Sequence, residues 1–256
     1  MSEKTILWRD KLWAAGVHLG ISVGVAGLAA ALVFWVWYPY PYREISGGRE
    51  LFLLMVSVDV ALGPLITFTV FNRSKPKAEL RRDLTVVGVI QLAALAYGLW
   101  TVAVARPAYL VFEIDRFRVV HAVEIDPALL AKAAPAYQNL PLWGPKLLAT
   151  RSFKDSTESM VATLAALSGA AIGARPELWQ DYGLARERVL RVAHPAAALR
   201  KRFPDRAEAL DAILQERNKK LEDLSFVPMM SRKAIWTVLI DSHTAEVVGF
   251  LPVDSF

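Results

Sequence analysis

No thiol chemistry is available to this chain, because it has no cysteine: disulfides, thiolate nucleophiles and cysteine-held zinc or iron–sulfur groups are all excluded. Its four histidines, His18, His121, His194 and His243, lie far apart, with no HxxxH or HExxH spacing to place two imidazoles on one metal. Each reads as a surface or capping residue. There is no GxSxG elbow, phosphate loop or dinucleotide fingerprint. The acids Glu113, Asp115 and Glu124 sit on or beside adjacent β-rich runs and could pair, although solvated strand faces carry such residues routinely. The expectation is therefore no catalytic residue, no metal and no cofactor. One titratable group stands apart. Asp59 is the only charge in the apolar run 51–71, and a carboxyl in hydrocarbon is costly enough to mark packing or function.

The elements that position Asp59 follow from hydropathy. Hydrophobic residues make up 54 % of 256, mean hydropathy is +0.31, and the excess lies before residue 106. Three apolar runs, at about 12–37, 51–71 and 84–105, each exceed the ~20 residues that cross ~30 Å of hydrocarbon. The first is too long for a signal-peptide core, and Phe34-Trp35-Val36-Trp37-Tyr38 is no small-residue cleavage site, so it reads as an anchor. Lys4, Arg9 and Lys11 mark the tail as cytoplasmic. The second loop (72–83) carries five Lys/Arg, the first (38–50) only Arg43 and Arg49. Residues 1–105 are thus expected to form a membrane domain and 106–256 a domain outside it, periplasmic in a bacterium. The aromatics Trp35, Trp37, Tyr38, Tyr40 and Tyr42 suit the outer headgroup layer. The net charge is +5 and the pI about 9.4, but the loop 72–83 alone contributes +3 and 106–256 only +2. The charge is topological rather than a nucleic-acid footprint.

Depth along the spans suggests partners for Asp59. At ~1.5 Å per residue, Asp59 lies about 18 Å from its cytoplasmic end, Ser22 about 15 Å and Tyr97 about 20 Å, whereas Gln91 comes out near 10 Å. Ser22 and Tyr97 are accordingly the expected hydrogen-bond partners, and Gln91 matches less well. Three readings stay open: Asp59 is protonated and ties the helices together, it faces a partner helix, or it takes part in ion movement. Gly63-Pro64, one turn below, is expected to kink the second span and free a carbonyl, which would also make a notch for another helix.

Beyond Arg106-Pro107 the pattern changes. Tyr109–Ile114 and Phe117–Ile125 read as a β-hairpin turning at Asp115-Arg116. Asp126-Pro127 opens a helix. Asp155 with Glu158, and Asp205 with Glu208, read as capping boxes of helices reaching about Ala171 and Leu221. Leu140–Thr150 reads as a loop or short strand. Leu184–Arg202 is helical but broken at His194-Pro195, and Arg200-Lys201-Arg202 is a solvated helix end. Ala234–Ile240 and Ala245–Leu251 form a closing hairpin. The expected fold is a membrane α-helical part with three spans, followed by an α+β domain with terminal β-hairpins in one sheet.

The run Val58-Asp59-Val60-Ala61-Leu62-Gly63-Pro64-Leu65-Ile66-Thr67 resembles the type IV pilin accessory proteins of the TfpX/TfpZ kind. Three further stretches share the likeness: Tyr109–Val120, Leu140-Pro-Leu-Trp-Gly-Pro145 and Glu246-Val-Val-Gly-Phe-Leu-Pro252. The resemblance covers nearly the whole chain. It implies a bacterial inner-membrane protein, without known catalysis, that helps a cognate type IV pilin assemble or reach the surface, alongside membrane lipid and other pilus assembly proteins. It flags Asp59, Gly63, Pro64, Asp115 and Arg116 as motif positions and assigns them no roles. Type IV pilins wait in that membrane with an apolar N-terminal helix carrying one acid and a globular head outside. A kinked second span would receive the helix, and residues 106–256 would recognise the head. The rival reading is a membrane enzyme or subunit acting on lipid-linked sugars or on pilin modification, which needs convergent acids around Arg43, Glu44, Glu113 and Asp115.

Overall fold

The computed structural model describes residues 3–256, with side chains from Trp8 onward, so Lys4 of the tail lies outside the described side chains. Three helices are long and apolar enough to cross a membrane: Trp8–Trp37, Gly48–Val70 and Lys77–Val104. Only 17, 17 and 11 % of their apolar windows are buried inside the protein. In water, such bare surface would forfeit the main driving force of folding. Lipid is therefore the solvent, and this is a membrane protein. The first helix is α-helical from Glu3 to Ala31 and loosens to π-helix over Leu32–Trp37. The second runs unbroken through Pro64. The third begins at Lys77, seven residues before its apolar run, where Lys75 bridges to Asp83 at 2.7 Å and to Glu79 at 3.4 Å.

Two compact units result: residues 1–39 with 48–104, and residues 40–47 with 105–256. In the helical unit, one end is closed by Tyr38. Its ring is fully buried with Val33, Phe52 and Val102, and its hydroxyl donates to the Val102 carbonyl at 3.2 Å. Gly48 permits this, since a Cβ there would come within 2.3 Å of the ring. At the other end Lys11 lies 5.8 Å from the Phe68 ring, and Arg73 reaches Asp10 at 3.3 Å.

The second unit is a mixed α/β domain on one eight-stranded sheet. Its strands are β1 (Pro107–Phe112), β2 (Phe117–His121), β3 (Lys146–Thr150), β4 (Trp179–Asp181), β5 (His194–Pro195), β6 (Leu224–Met230), β7 (Ile235–Asp241) and β8 (Val247–Leu251). The order is β4-β3-β1-β2-β6-β7-β8, with β5 on β6. β1 is buried at every residue, as an apolar run inside a sheet should be. It turns into β2 with Phe112 opposite Phe117. The parallel β2–β6 pairing joins this hairpin to the closing β6-β7-β8 meander, so the terminal strands share one sheet.

Between the strands, Ser156–Leu167 is capped by the Asp155 side chain, which accepts from the Glu158 N–H at 2.8 Å. The Glu158 carboxylate accepts from both Arg151 nitrogens, at 2.7 and 2.8 Å, and from the Lys154 N–H. These contacts, the Arg151 bond first, lower its pKa to about 2. The expected Asp205–Glu208 box does not form. A 3₁₀ turn at Pro204–Arg206 takes its place, and the helix runs Ala207–Glu216, ending before Asn218 in the left-handed region.

The first inter-span loop is part of this unit's core. Ile45 is fully buried and Tyr42 nearly so, among Phe112, Phe117, Tyr182, Val238 and Ile240. The Lys233 N–H donates to the Ile45 carbonyl at 3.1 Å, and the Ser46 and Ser231 hydroxyls meet at 3.2 Å. The aromatic run therefore divides: Trp35 and Tyr40 are exposed, while Tyr38 and Tyr42 are core residues of different units. Headgroup solvation does not outweigh burial where a fitted cavity exists. Ile45→Ala is expected to destabilise the sheet unit by about 2–5 kcal/mol. Proteolysis of the detergent-solubilised chain under increasing urea measures this, and an unchanged midpoint would show that the loop is not part of the core.

Candidate functional site

Helical spacing gathers polar side chains inside the helical unit. His18 and Ser22 are one turn apart on the first span. Asp59, Gly63 and Thr67 follow at successive turns on the second, and Gln91 stands on the third. All but Gly63 line a cavity of about 450 Å³, whose other walls are apolar, among them Trp13, Val17, Leu92 and Leu95. His18 Nδ1 and Thr67 Oγ1 share a hydrogen bond of 2.5 Å, its direction set by the imidazole tautomer. Gln91 donates from Nε2 to the Asp59 main-chain carbonyl at 3.5 Å. Gly63 makes room for both: a Cβ there would lie 1.9 Å from Gln91 Nε2 and 3.1 Å from His18 Nε2. Pro64 cannot donate to the Val60 carbonyl. The Gln91 amide therefore bonds beside the one weak point of that helix. The Asp59 carboxyl lines the cavity and has no hydrogen bond or ion pair among the described residues.

Of the residues chosen from sequence, Ser22, Asp59 and Gly63 come together, with Pro64 adjoining. Tyr97 does not join them; it is 69 % exposed and lies against Trp100, ring centroids 5.8 Å apart. Sequence reasoning missed His18 and Thr67 and ranked Gln91 below Ser22 and Tyr97, although Gln91 is the one that reaches the Asp59 main chain. Depth along a helix fixes a level but not a face, and the face was available in the four-residue spacings 18/22 and 59/63/67.

A second concavity, of about 400 Å³, lies at the β1–β2 turn and is lined by Glu113, Asp115, Arg116 and Arg118 with Ile114, Ala166 and Ile172. Each acid there has its own cation. Glu113 is buried and accepts from Arg118 Nε at 3.0 Å and from the Gly173 N–H at 2.8 Å. Asp115 accepts from Arg116 Nε at 2.7 Å and Nη2 at 3.2 Å, and this hydrogen bond raises the guanidinium pKa. Arg116 also stacks over Phe256 at 4.7 Å. Glu124 lies elsewhere, accepting from the His121 N–H at 3.1 Å with Arg232 at 3.3 Å. Arg43 and Glu44 pair with each other at 3.5 Å and do not line the pocket. Both carboxylates of this concavity are thus held by arginines. Among the described residues, no three His, Asp or Glu side chains gather as a metal site.

A family model described as "Fimbrial assembly protein FimB" matches residues 6–47. Over its whole length the chain is similar to two fimbrial assembly proteins of Dichelobacter nodosus. One, of serogroup I, is 33 % identical over 258 residues, covering 100 % of this chain and 99 % of that protein. The other, of serogroup E1, is 32 % identical with the same coverage. A third from that organism, of serogroups C1 and C2, is 39 % identical over 125 residues, 49 % of this chain. No solved structure matches.

Gly63→Ala is expected to expel the Gln91 amide and lower stability by about 1 kcal/mol, the size of one membrane hydrogen bond. The double variant with Gln91→Ala should lose less than the two single losses combined. Melting temperatures in detergent test this, and strict additivity would mean that the two residues do not meet.

Proposed function

The chain belongs to the fimbrial assembly protein family, and on that premise we propose that it assists pilus assembly by holding a type IV pilus subunit in the bacterial inner membrane, without catalysis. The observation that carries the reading is the cavity: a carboxyl without a partner among the described residues, in a recess between membrane spans whose walls are apolar apart from Asp59, His18, Ser22, Thr67 and Gln91. Lipid tails offer Asp59 nothing to bond. A passing helix with a polar group does. The second span forms one wall through Asp59, Thr67 and Phe71, with Gly63-Pro64 between them in the chain, and the partner is the apolar N-terminal helix of the subunit.

The single acid of a type IV pilin helix would repel an ionised Asp59, so one of the two would have to be protonated. The neighbours ease this. Gln91 is a donor, and Ser22 and His18 can donate as well, so an entering acid has hydrogen-bonding groups besides Asp59. Lys/Arg counts support a cytoplasmic N-terminus and a periplasmic sheet unit. The paired acids at the β1–β2 turn favour binding over an enzyme of lipid-linked sugars or pilin modification, since that chemistry would need Glu113 or Asp115 free of its arginine.

Co-purification tests the grip. Relative to the unmodified chain, Asp59→Ala and Pro64→Ala are expected to lower recovery of the pilus subunit about tenfold, for roughly 1.4 kcal/mol of lost interaction. Equal recovery from all three would remove the cavity from the mechanism. For topology, alkaline phosphatase fused after Phe256 should be active, whereas an inactive fusion that is correctly inserted would place the sheet unit in the cytosol.

A further inference from the structure

Covalent continuity, rather than any docking of one unit on the other, ties one end of the sheet to the membrane surface. β1 begins at Pro107, and Arg106 stands two residues after Val104, where the third span ends, a separation of at most about 7 Å. β2 finishes at the same end, with His121 paired to Pro107. β6 runs parallel to β2, so the turn after Met230 lies there too, and its Lys233 N–H holds the Ile45 carbonyl of the loop between the first two spans. β3 runs parallel to β1 with Lys146 beside Tyr109, so the residues just before it project from this end as well. That loop is tied down. The Arg106 guanidinium donates to the Pro141 carbonyl from Nη2 at 3.0 Å and from Nε at 3.4 Å, and the Tyr109 hydroxyl donates to the Asn139 carbonyl at 3.4 Å. Pro141 and Pro145 fix the backbone on either side, and Gly144 turns it at φ 46°. Leu140 packs against the core, yet Leu142 and Trp143 are 69 and 73 % exposed.

We infer that Leu142 and Trp143 enter the lipid headgroup layer on the sheet unit's side, as an interfacial anchor additional to the three spans. Position selects lipid first: the loop is hydrogen-bonded to Arg106, two residues from the end of a span. Residue type selects it again, because indole rings settle at headgroup depth, where one edge is apolar and the other wet. Charge agrees. Residues 137–146 hold no acid, and Lys146 is exposed, which suits lipid phosphate. Tyr40, where the chain enters this unit from the first span, is 55 % exposed with its ring 6.1 Å from Trp236, so a second aromatic stands at the same end. Two side chains fall well short of the about 800 Å² that each partner buries in a standard protein interface. They suffice for a surface beside which the spans already hold the unit, since tethering makes the contact effectively intramolecular.

Because the chain has no cysteine, one introduced thiol carries a label unambiguously. Leu142→Cys and, as the control, Gln215→Cys on the exposed side of another helix each receive a nitrobenzoxadiazole fluorophore. The full-length chain is then placed, highly diluted, in vesicles of phosphatidylethanolamine and phosphatidylglycerol without the pilus subunit. A nitroxide near the top of the acyl chains is expected to quench the label at Leu142 about threefold more than at Gln215, and adding Trp143→Ser should remove about half of that quenching. Both positions are exposed, so the melting temperature should not change. Equal quenching at the two sites, quenching by a headgroup nitroxide alone, or quenching indifferent to Trp143→Ser overturns the inference. Quenching lost when the chain is concentrated, or when the pilus subunit is added, gives the loop to a protein partner and overturns it as well. The proposed function rests on the cavity of the helical unit and survives each of these failures.

Discussion

Lipid cannot hydrogen-bond, and the arrangement of the helical unit follows from that limit. A polar group within a span must bond the backbone of its own helix, as Ser57, Thr69 and Thr101 do, find a partner on a neighbouring helix, or stay uncompensated. His18 finds Thr67, and the Gln91 amide finds the Asp59 carbonyl. Both meetings take place at Gly63, where the second helix has no side chain to keep its neighbours away. At the opposite end Tyr38 meets the Val102 carbonyl above Gly48 by the same means: a glycine lets a polar side chain reach backbone on another helix. Small residues and scattered hydrogen bonds hold helices together where apolar contact alone gives no preference over lipid.

The same chain builds its second unit partly from membrane-proximal sequence. Residues 40–47 lie between two spans, yet Tyr42 and Ile45 complete the core beneath β1, β2 and β7. The chain passes between the units three times, after residues 39, 47 and 104. The loop and everything after the third span belong to one folded body, so they share one side of the membrane. Three crossings require the same, whichever side that is. Part of the sheet unit's core is thus supplied by the loop between the first two spans.

The parts of this architecture that depend on local chemistry were legible in the sequence. Continuous apolar runs located the spans, Tyr109–Ile114 and Phe117–Ile125 announced a hairpin, and Asp155 with Glu158 announced a capped helix. β6 was not legible, because Pro228 within Leu224–Met230 argues against a central strand and its pairing with both β2 and β7 is non-local. The aromatic run at 35–42 looked uniform because rings suit headgroups and cores equally. Only the tertiary fold distinguishes Tyr38 and Tyr42 from Trp35. The polar cavity was half legible. Asp59 is conspicuous as a lone charge, but the polar residues near it were sought by depth, and the rotation of each helix about its axis is set by packing that no single span encodes.

The two concavities differ in how their acids are partnered. At the β1–β2 turn, Glu113 and Asp115 are met by Arg118 and Arg116 at hydrogen-bond distance, so their charges are already balanced by the fold. Such a turn gains little by changing state. The Asp59 carboxyl is in the opposite position: among the described residues its side chain has no partner, and its surroundings are largely hydrocarbon. A carboxyl without a partner in such surroundings carries a desolvation cost that a hydrogen-bonding group reaching it would offset. The fold thus balances the acids of the β1–β2 turn and leaves the Asp59 side chain without a hydrogen-bond partner among the described residues.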